Sequence, residues 1–155
     1  MNFDEFKNEI IKRCKAESAC EAQFRRILNS ETFPQIFTVL KDNFSWSCNH
    51  KIIDSEILTT VKIEAAQSEI YVNENTSYGF LLAWGSATVE AWGSATVRAS
   101  GSATVRAWGS AFISSYKNIE CKLSDHAIFR NTETKEITIV ESSYSIINRP
   151  ISANP

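Results

Sequence analysis

Residues 83–114 read AWGSATVE AWGSATVR ASGSATVR AWGSAFIS, four octads laid end to end. The first three differ from one another at only two of eight positions, the second and the last. Alternation along an extended chain puts Ala87, Val89 and Ala91 on one side and Ser86, Thr88 and Glu90 on the other. One side is small and apolar, the other polar or β-branched, and the split recurs each period. Gly85, Gly93, Gly101 and Gly109 fall where the chain must turn. The tract therefore reads as stacked β-rungs of a solenoid.

The period decays on either side without vanishing. Residues 115–122 and 123–130 keep apolar residues at the fifth and seventh places, Ile119 with Cys121 and Ala127 with Phe129. Residues 75–82 keep Gly79 and Leu81 there. Seven units are expected to stack, the imperfect ones outermost, because exposed terminal rungs need capping.

Eight residues cannot close a coil, which needs two strands and two corners. Two octads make a flat coil of sixteen residues, and three make a triangular one of twenty-four. The flat coil sets Glu90 beside Arg106; the triangular coil sets Trp84 on Trp108 and Trp92 on Tyr116. Alanine and valine are too small to fill a wide triangular interior, which favours the flat coil.

Upstream, the chain changes period. Asn2 and Glu5 have capping-box spacing, followed by the helical stripe Phe3, Phe6, Ile10, Ile11, Cys14. Ser18 with Glu21 repeats the spacing before Cys20, Phe24, Ile27 and Leu28. Thr32 with Gln35 repeats it again before Ile36, Phe37, Val39 and Leu40, with Pro34 tolerated in a first turn. Three short helices are expected. Residues 43–49 break the pattern, residues 52–58 fit a helix or a strand, and a strand at residues 70–72 is followed by a turn at Asn73-Glu74-Asn75. The fold class is α+β: a small N-terminal helical cap packed on a single-stranded β-solenoid, or β-helix, built from octapeptide repeats. The cap is expected over residues 1–60, the solenoid over 61–148 and a tail over 149–155. Helices with an apolar stripe need somewhere to bury it, and the open edge of the first rung is the expected place.

Net charge at pH 7 is −2 over 155 residues, with basic and acidic side chains balanced at seven each in residues 1–50. No block is basic enough to track a phosphate backbone, so sequence-independent nucleic-acid binding is disfavoured. The N-terminal residues are charged and amphipathic, with no apolar signal core and no membrane-length run, and a cytoplasmic protein is expected. Cys14, Cys20, Cys48 and Cys121 are too sparse for a disulfide framework. Cys14, Cys20, Cys48 and His50 have the residue types of a zinc set, but a six-residue helical step points Cys14 and Cys20 apart, and buried structural thiols are expected. Asp125 and His126 are adjacent and face opposite ways on a strand; Cys48 and His50 lack a third group. No catalytic residue, metal or cofactor is expected, and the reading is non-enzymatic.

GSATVRA-type octads behind a helical head, here with CEAQF and LKDNFSW, resemble a group of bacterial and bacteriophage repeat proteins. The resemblance covers most of the chain and implies the solenoid; it carries over no activity, cofactor or catalytic residue. It implies a role inside a host cell, such as inhibiting a defence complex in the manner of an anti-CRISPR protein.

Four binding readings follow. Protein binding would use Trp84, Trp92, Trp108, Arg98, Arg106 and Tyr116, since Trp, Tyr and Arg dominate interface hot spots. The alternatives are structural self-association, carbohydrate stacked on the tryptophans, and an ice-binding threonine row at Thr88, Thr96 and Thr104. The charged neighbours Glu90, Arg98 and Arg106 oppose the ice reading. An inter-rung tryptophan ladder competes with the sugar reading.

Overall fold

A computed structural model describes residues 1–140 and the strand at 144–147; the expected tail at 149–155 lies outside the described residues. The chain divides into two units, Met1–Ile70 and Tyr71–Pro155. The helical unit is longer than residues 1–60, because a further helix at Lys62–Gln67 belongs to it.

Six helices build the first unit: α1 (Phe3–Ala16), α2 (Glu21–Leu28), α3 (Phe33–Asp42), α4 (Phe44–Asn49), α5 (Ser55–Thr60) and α6 (Lys62–Gln67). The Asn2 capping box is present in full. Its side chain accepts from the Glu5 amide at 2.9 Å, and its own amide donates to Glu5 Oε2 at 2.9 Å. The other two boxes are not formed. Ser18 lies past the end of α1 at φ +52, and Cys20 occupies the N-cap of α2. Thr32 is the N-cap of α3 without a side-chain bond, while Gln35 accepts from the amide of Glu31. Spacing alone does not make a box: Ser18 is not at a cap, and Thr32 is extended at its cap but Gln35 is engaged one residue earlier, at the Glu31 amide.

The expected break falls at Asn43, non-helical at φ -128 and ψ 37 between α3 and α4, but Phe44–Asn49 then resumes as helix α4. The uncertain stretch after it resolves as helix α5, capped by Asp54, whose Oδ1 accepts from the Ile57 amide at 2.9 Å. Asp54 Oδ2 also accepts from Arg13 at 2.8 Å, and Arg13 bonds Glu9 and the Lys51 carbonyl as well. One guanidinium thus ties α1 to the start of α5. Phe6, Ile10, Ile36, Phe37, Leu40, Ile52, Ile53 and Leu58 are each at most 1% exposed and form this unit's interior. Phe33 packs against Phe3, Phe6 and Phe37 with ring centroids 5.4–6.1 Å apart.

The second unit is a flat solenoid. After β1 (Ile70–Val72), seven strands recur every eight residues: β2 (Phe80–Ala83), β3 (Thr88–Ala91), β4 (Thr96–Ala99), β5 (Thr104–Ala107), β6 (Phe112–Ser115), β7 (Glu120–Ser124) and β8 (Ile128–Asn131). Alternate strands pair in parallel, β2-β4-β6-β8 in one sheet and β3-β5-β7 in the other. Each residue lies beside the one sixteen further on, as in Val89 beside Val105 and Val97 beside Ile113. The coil therefore has sixteen residues. Two antiparallel strands complete the sheets, β9 (Ile137–Ile139) on β8 and β10 (Tyr144–Ile147) on β7.

The interior is the alanine and valine set expected of a thin coil. Val89, Ala91, Ala95, Val97, Ala99, Ala103, Val105 and Ala111 are all fully buried. Facing sheets with such short side chains meet in the middle, where wider spacing would leave voids. Larger residues enter in the last coil, with Leu123 beside Ala107 and Phe129 beside Ile113. Both are buried, as are Ile119, Cys121 and Ala127, so the decayed units keep the inward pattern.

Glycine is required at the corner of Gly93. Its φ is +58, and a β-carbon there would overlap the Ser77 carbonyl oxygen. The first rung's edge is closed from within this unit. Asn75 Oδ1 accepts from the Glu90 amide at 2.8 Å, Thr76 donates to the Glu90 carbonyl at 3.1 Å, and Trp92 donates to the Thr76 carbonyl at 3.1 Å. An edge so occupied cannot template further pairing.

Candidate functional site

A sixteen-residue coil sorts the octads into two alternating sets, and this decides which side chains meet. The second position of each octad follows a strand directly and turns outward at a corner. Odd and even octads deliver it to different corners. Trp92 and Trp108 share one, because Ala91 pairs with Ala107. Their rings stack with centroids 5.2 Å apart and planes within 6°. Trp84, Ser100 and Tyr116 share the other, because Ala83, Ala99 and Ser115 are in register.

The six expected surface residues thus do not form one patch. Trp92 and Trp108 are half-buried in their stack. Arg106 stands two residues before Trp108 on β5 and bonds Glu90 on β3 at 3.4 Å. Both partners are well exposed, so this ion pair adds little stability and leaves the guanidinium near the surface. Trp84 and Tyr116, 44% and 56% exposed, occupy the other corner. Arg98 does not belong to a displayed surface: it lies on β4 between Leu82 and Ser114 in the neighbouring strands and is only 6% exposed. The threonine row is divided likewise. Thr88 and Thr104 are neighbours in one sheet, while Thr96 lies between Phe80 and Phe112 in the other. No three-threonine rank exists on either sheet, and the ice-binding reading loses its surface.

The ring contact between Trp92 and Trp108 answers the ladder expectation at this corner. A sugar stacked here would find one face of each indole already covered by its neighbour. What the corner offers is an indole pair with fixed spacing beside a cation, carried on backbone that parallel pairing holds in register.

The groups with chemical potential lie elsewhere and are tied into structural roles. His50, at the C-cap of α4, stacks on Trp46 with centroids 4.6 Å apart and meets Glu17 at 2.9 Å through Nδ1. Cys48 lies two positions before His50 in helical geometry, so the two do not share a side as they would on an extended segment. Asp125 takes the glycine place of its octad at φ +53, and its carboxylate accepts from the Gly109 amide at 3.1 Å. It fixes a corner. Cys14 and Cys121 are buried as expected, and burial pushes their thiols up to about 11 and about 12. Cys20 is exposed, against expectation, because its N-cap position turns it outward. Among the described residues no group of three or more His, Cys, Asp or Glu is placed to hold a metal.

The sequence reading missed one feature. A cleft of about 290 Å³ opens in the helical unit, with buried Ile27, Val39, Leu40 and Ile52 at its base and Glu17, Cys20, Gln23, Asn43 and Trp46 around its mouth. No local pattern signals it, because its walls come from α1, α2, α3 and α4 together. No helix among the described residues is long and apolar enough to cross a membrane. Comparison with protein-family models, with characterised proteins and with solved structures finds no match to this chain.

Proposed function

We propose that the chain is a non-enzymatic protein-binding module, and that the corner carrying Trp92 and Trp108 beside Arg106 is its contact surface. The observation that carries this reading is the parallel indole stack at 5.2 Å, set next to a surface arginine on β5. Large rigid aromatics with few torsions lose little entropy on binding, and Trp and Arg dominate interface hot spots. The surrounding charge is mixed in sign, which suits a protein better than a phosphate backbone. The resemblance to octad proteins of phage and bacteria supplies the candidate partner, a host defence complex that this chain would inhibit from within the cytoplasm.

The test is a paired substitution. Trp92→Ser and Trp108→Ser together reproduce what Ser100 already does within the repeat, so the β circular dichroism should persist while affinity for the captured host protein falls at least tenfold. A folded double variant that binds undiminished would remove this corner from the interface. A second reading, self-association through the end of the solenoid, draws on β9. That strand is the last in its sheet among the described residues, and it presents Ile137 at 61% exposure. A concentration-independent monomer on sizing would exclude it.

A further inference from the structure

The stacked pair at one corner shows what the other corner lacks. Parallel coils repeat at about 4.8 Å, so a column of aromatics in successive coils stacks ring on ring, as Trp92 and Trp108 do at 5.2 Å. The opposite column runs Trp84, Ser100, Tyr116, with the backbone in the same register: Ala83 beside Ala99, Ala99 beside Ser115, and the Ser100 amide donating to the Ala83 carbonyl at 3.0 Å. Ser100 is the single octad of the four in residues 83–114 without tryptophan at this position. Its neighbours in the column are therefore two rungs apart, about 10 Å. Neither ring has an aromatic partner among the described residues, and both are largely exposed.

We propose that the step above Ser100 is a binding slot for one aromatic side chain of a protein partner, which inserts between Trp84 and Tyr116 and completes the column. The spacing selects the ligand. With Trp84 and Tyr116 oriented as Trp92 and Trp108 are, a flat ring centred over Ser100 would lie about 5 Å from each, the separation this solenoid already shows in its other column. A second ring would not fit. The walls are neutral, so the slot attracts through ring contact and desolvation rather than through charge. Ser100 forms the floor with a side chain too short to fill the step. This slot lies at the corner away from Trp92 and Trp108, so it does not depend on the contact surface proposed above.

The experiment follows the indole N–H resonances of the intact chain while N-acetyl-tryptophanamide is added. The Trp84 resonance should shift saturably at millimolar ligand, with Trp92 and Trp108 moving little. Ser100→Trp supplies the missing ring from within the chain and should abolish the Trp84 response, while its own indole joins a stack and the fold is kept, since sister octads carry tryptophan there. Three results would overturn the slot: equal shifts at all the indoles, a Trp84 response that survives in folded Ser100→Trp, or an equal response to N-acetyl-argininamide, which would deny selectivity for an aromatic ring. Should Ser100→Trp fail to fold, Ser100→Leu provides the blocked variant, with the same expectation at Trp84. Because the probe is a free aromatic amide, this outcome is independent of whether Trp92→Ser with Trp108→Ser loses the protein partner.

Discussion

Two glycines at the same place in the octad should respond differently to the same substitution. Gly85 and Gly93 both hold left-handed backbone, at φ +67 and +58. An L-residue in that region costs roughly 1–2 kcal/mol. At Gly85 that is the whole cost, because a β-carbon there meets nothing within 4 Å. At Gly93 the β-carbon falls on the carbonyl oxygen of Ser77, which is held in place by the Ser94 amide at 3.0 Å. The obstacle is backbone, so it cannot rotate away as a side chain would, and overpacking of this kind adds about 1–3 kcal/mol. Gly93→Ala should therefore cost about 2–5 kcal/mol against about 1–2 for Gly85→Ala. The assay is urea unfolding followed by the β signal in far-ultraviolet circular dichroism. With a slope near 2 kcal/mol per molar, the two midpoints should separate by about 1 M at unchanged slope. Equal midpoints, or a larger loss for Gly85→Ala, would refute the argument that close stacking of corners selects glycine at Gly93.

Three further outcomes follow from the same geometry. Phe129→Ala empties the bulkiest interior position of the last coil and should cost about 3–5 kcal/mol, whereas Ile113→Val beside it should cost about 0.5–1.5, both read from unfolding midpoints. Asn2→Ala removes the one complete capping box and should cost about 0.5–2 kcal/mol, while Ser18→Gly relieves a positive φ and should leave the helical unit as stable or more so. A thiol reagent at pH 8 should modify Cys20 rapidly and leave Cys14 and Cys121 untouched until unfolding. Those two thiols hold their protons longer in the folded chain than the ordinary value of 9.0, so they lower stability as pH rises above 9, until about 11 for Cys14 and about 12 for Cys121; a pH series of unfolding midpoints checks the sign.

How far the site could be read from the chain differs by residue. Trp92 beside Arg106 and Trp108 was legible as residue types, because an outward tryptophan and arginine in a small-residue repeat have no interior to enter. Arg98 was misread because its octad position matches that of Arg106, yet it lies on the other sheet and is buried there. Cys20, Trp46 and the cleft in the helical unit were invisible. They depend on how helices end and pack, and capping spacing without cap conformation misplaces those ends, as Ser18 shows.

By itself the sequence determined the period and the inward set of alanine and valine, because these depend on alternation and side-chain size along a single segment; it set the end of the helical unit ten residues early. Side-chain size favoured the sixteen-residue coil, and the parallel register of the tertiary structure decided that octads sixteen residues apart are neighbours. Near-identical repeats are equally compatible with either neighbour choice at the level of local preference. Only filling the space between two sheets settles it, and small side chains fill a thin coil. From that one spacing came the indole stack, the ion pair of Glu90 with Arg106, and the vacant step between Trp84 and Tyr116.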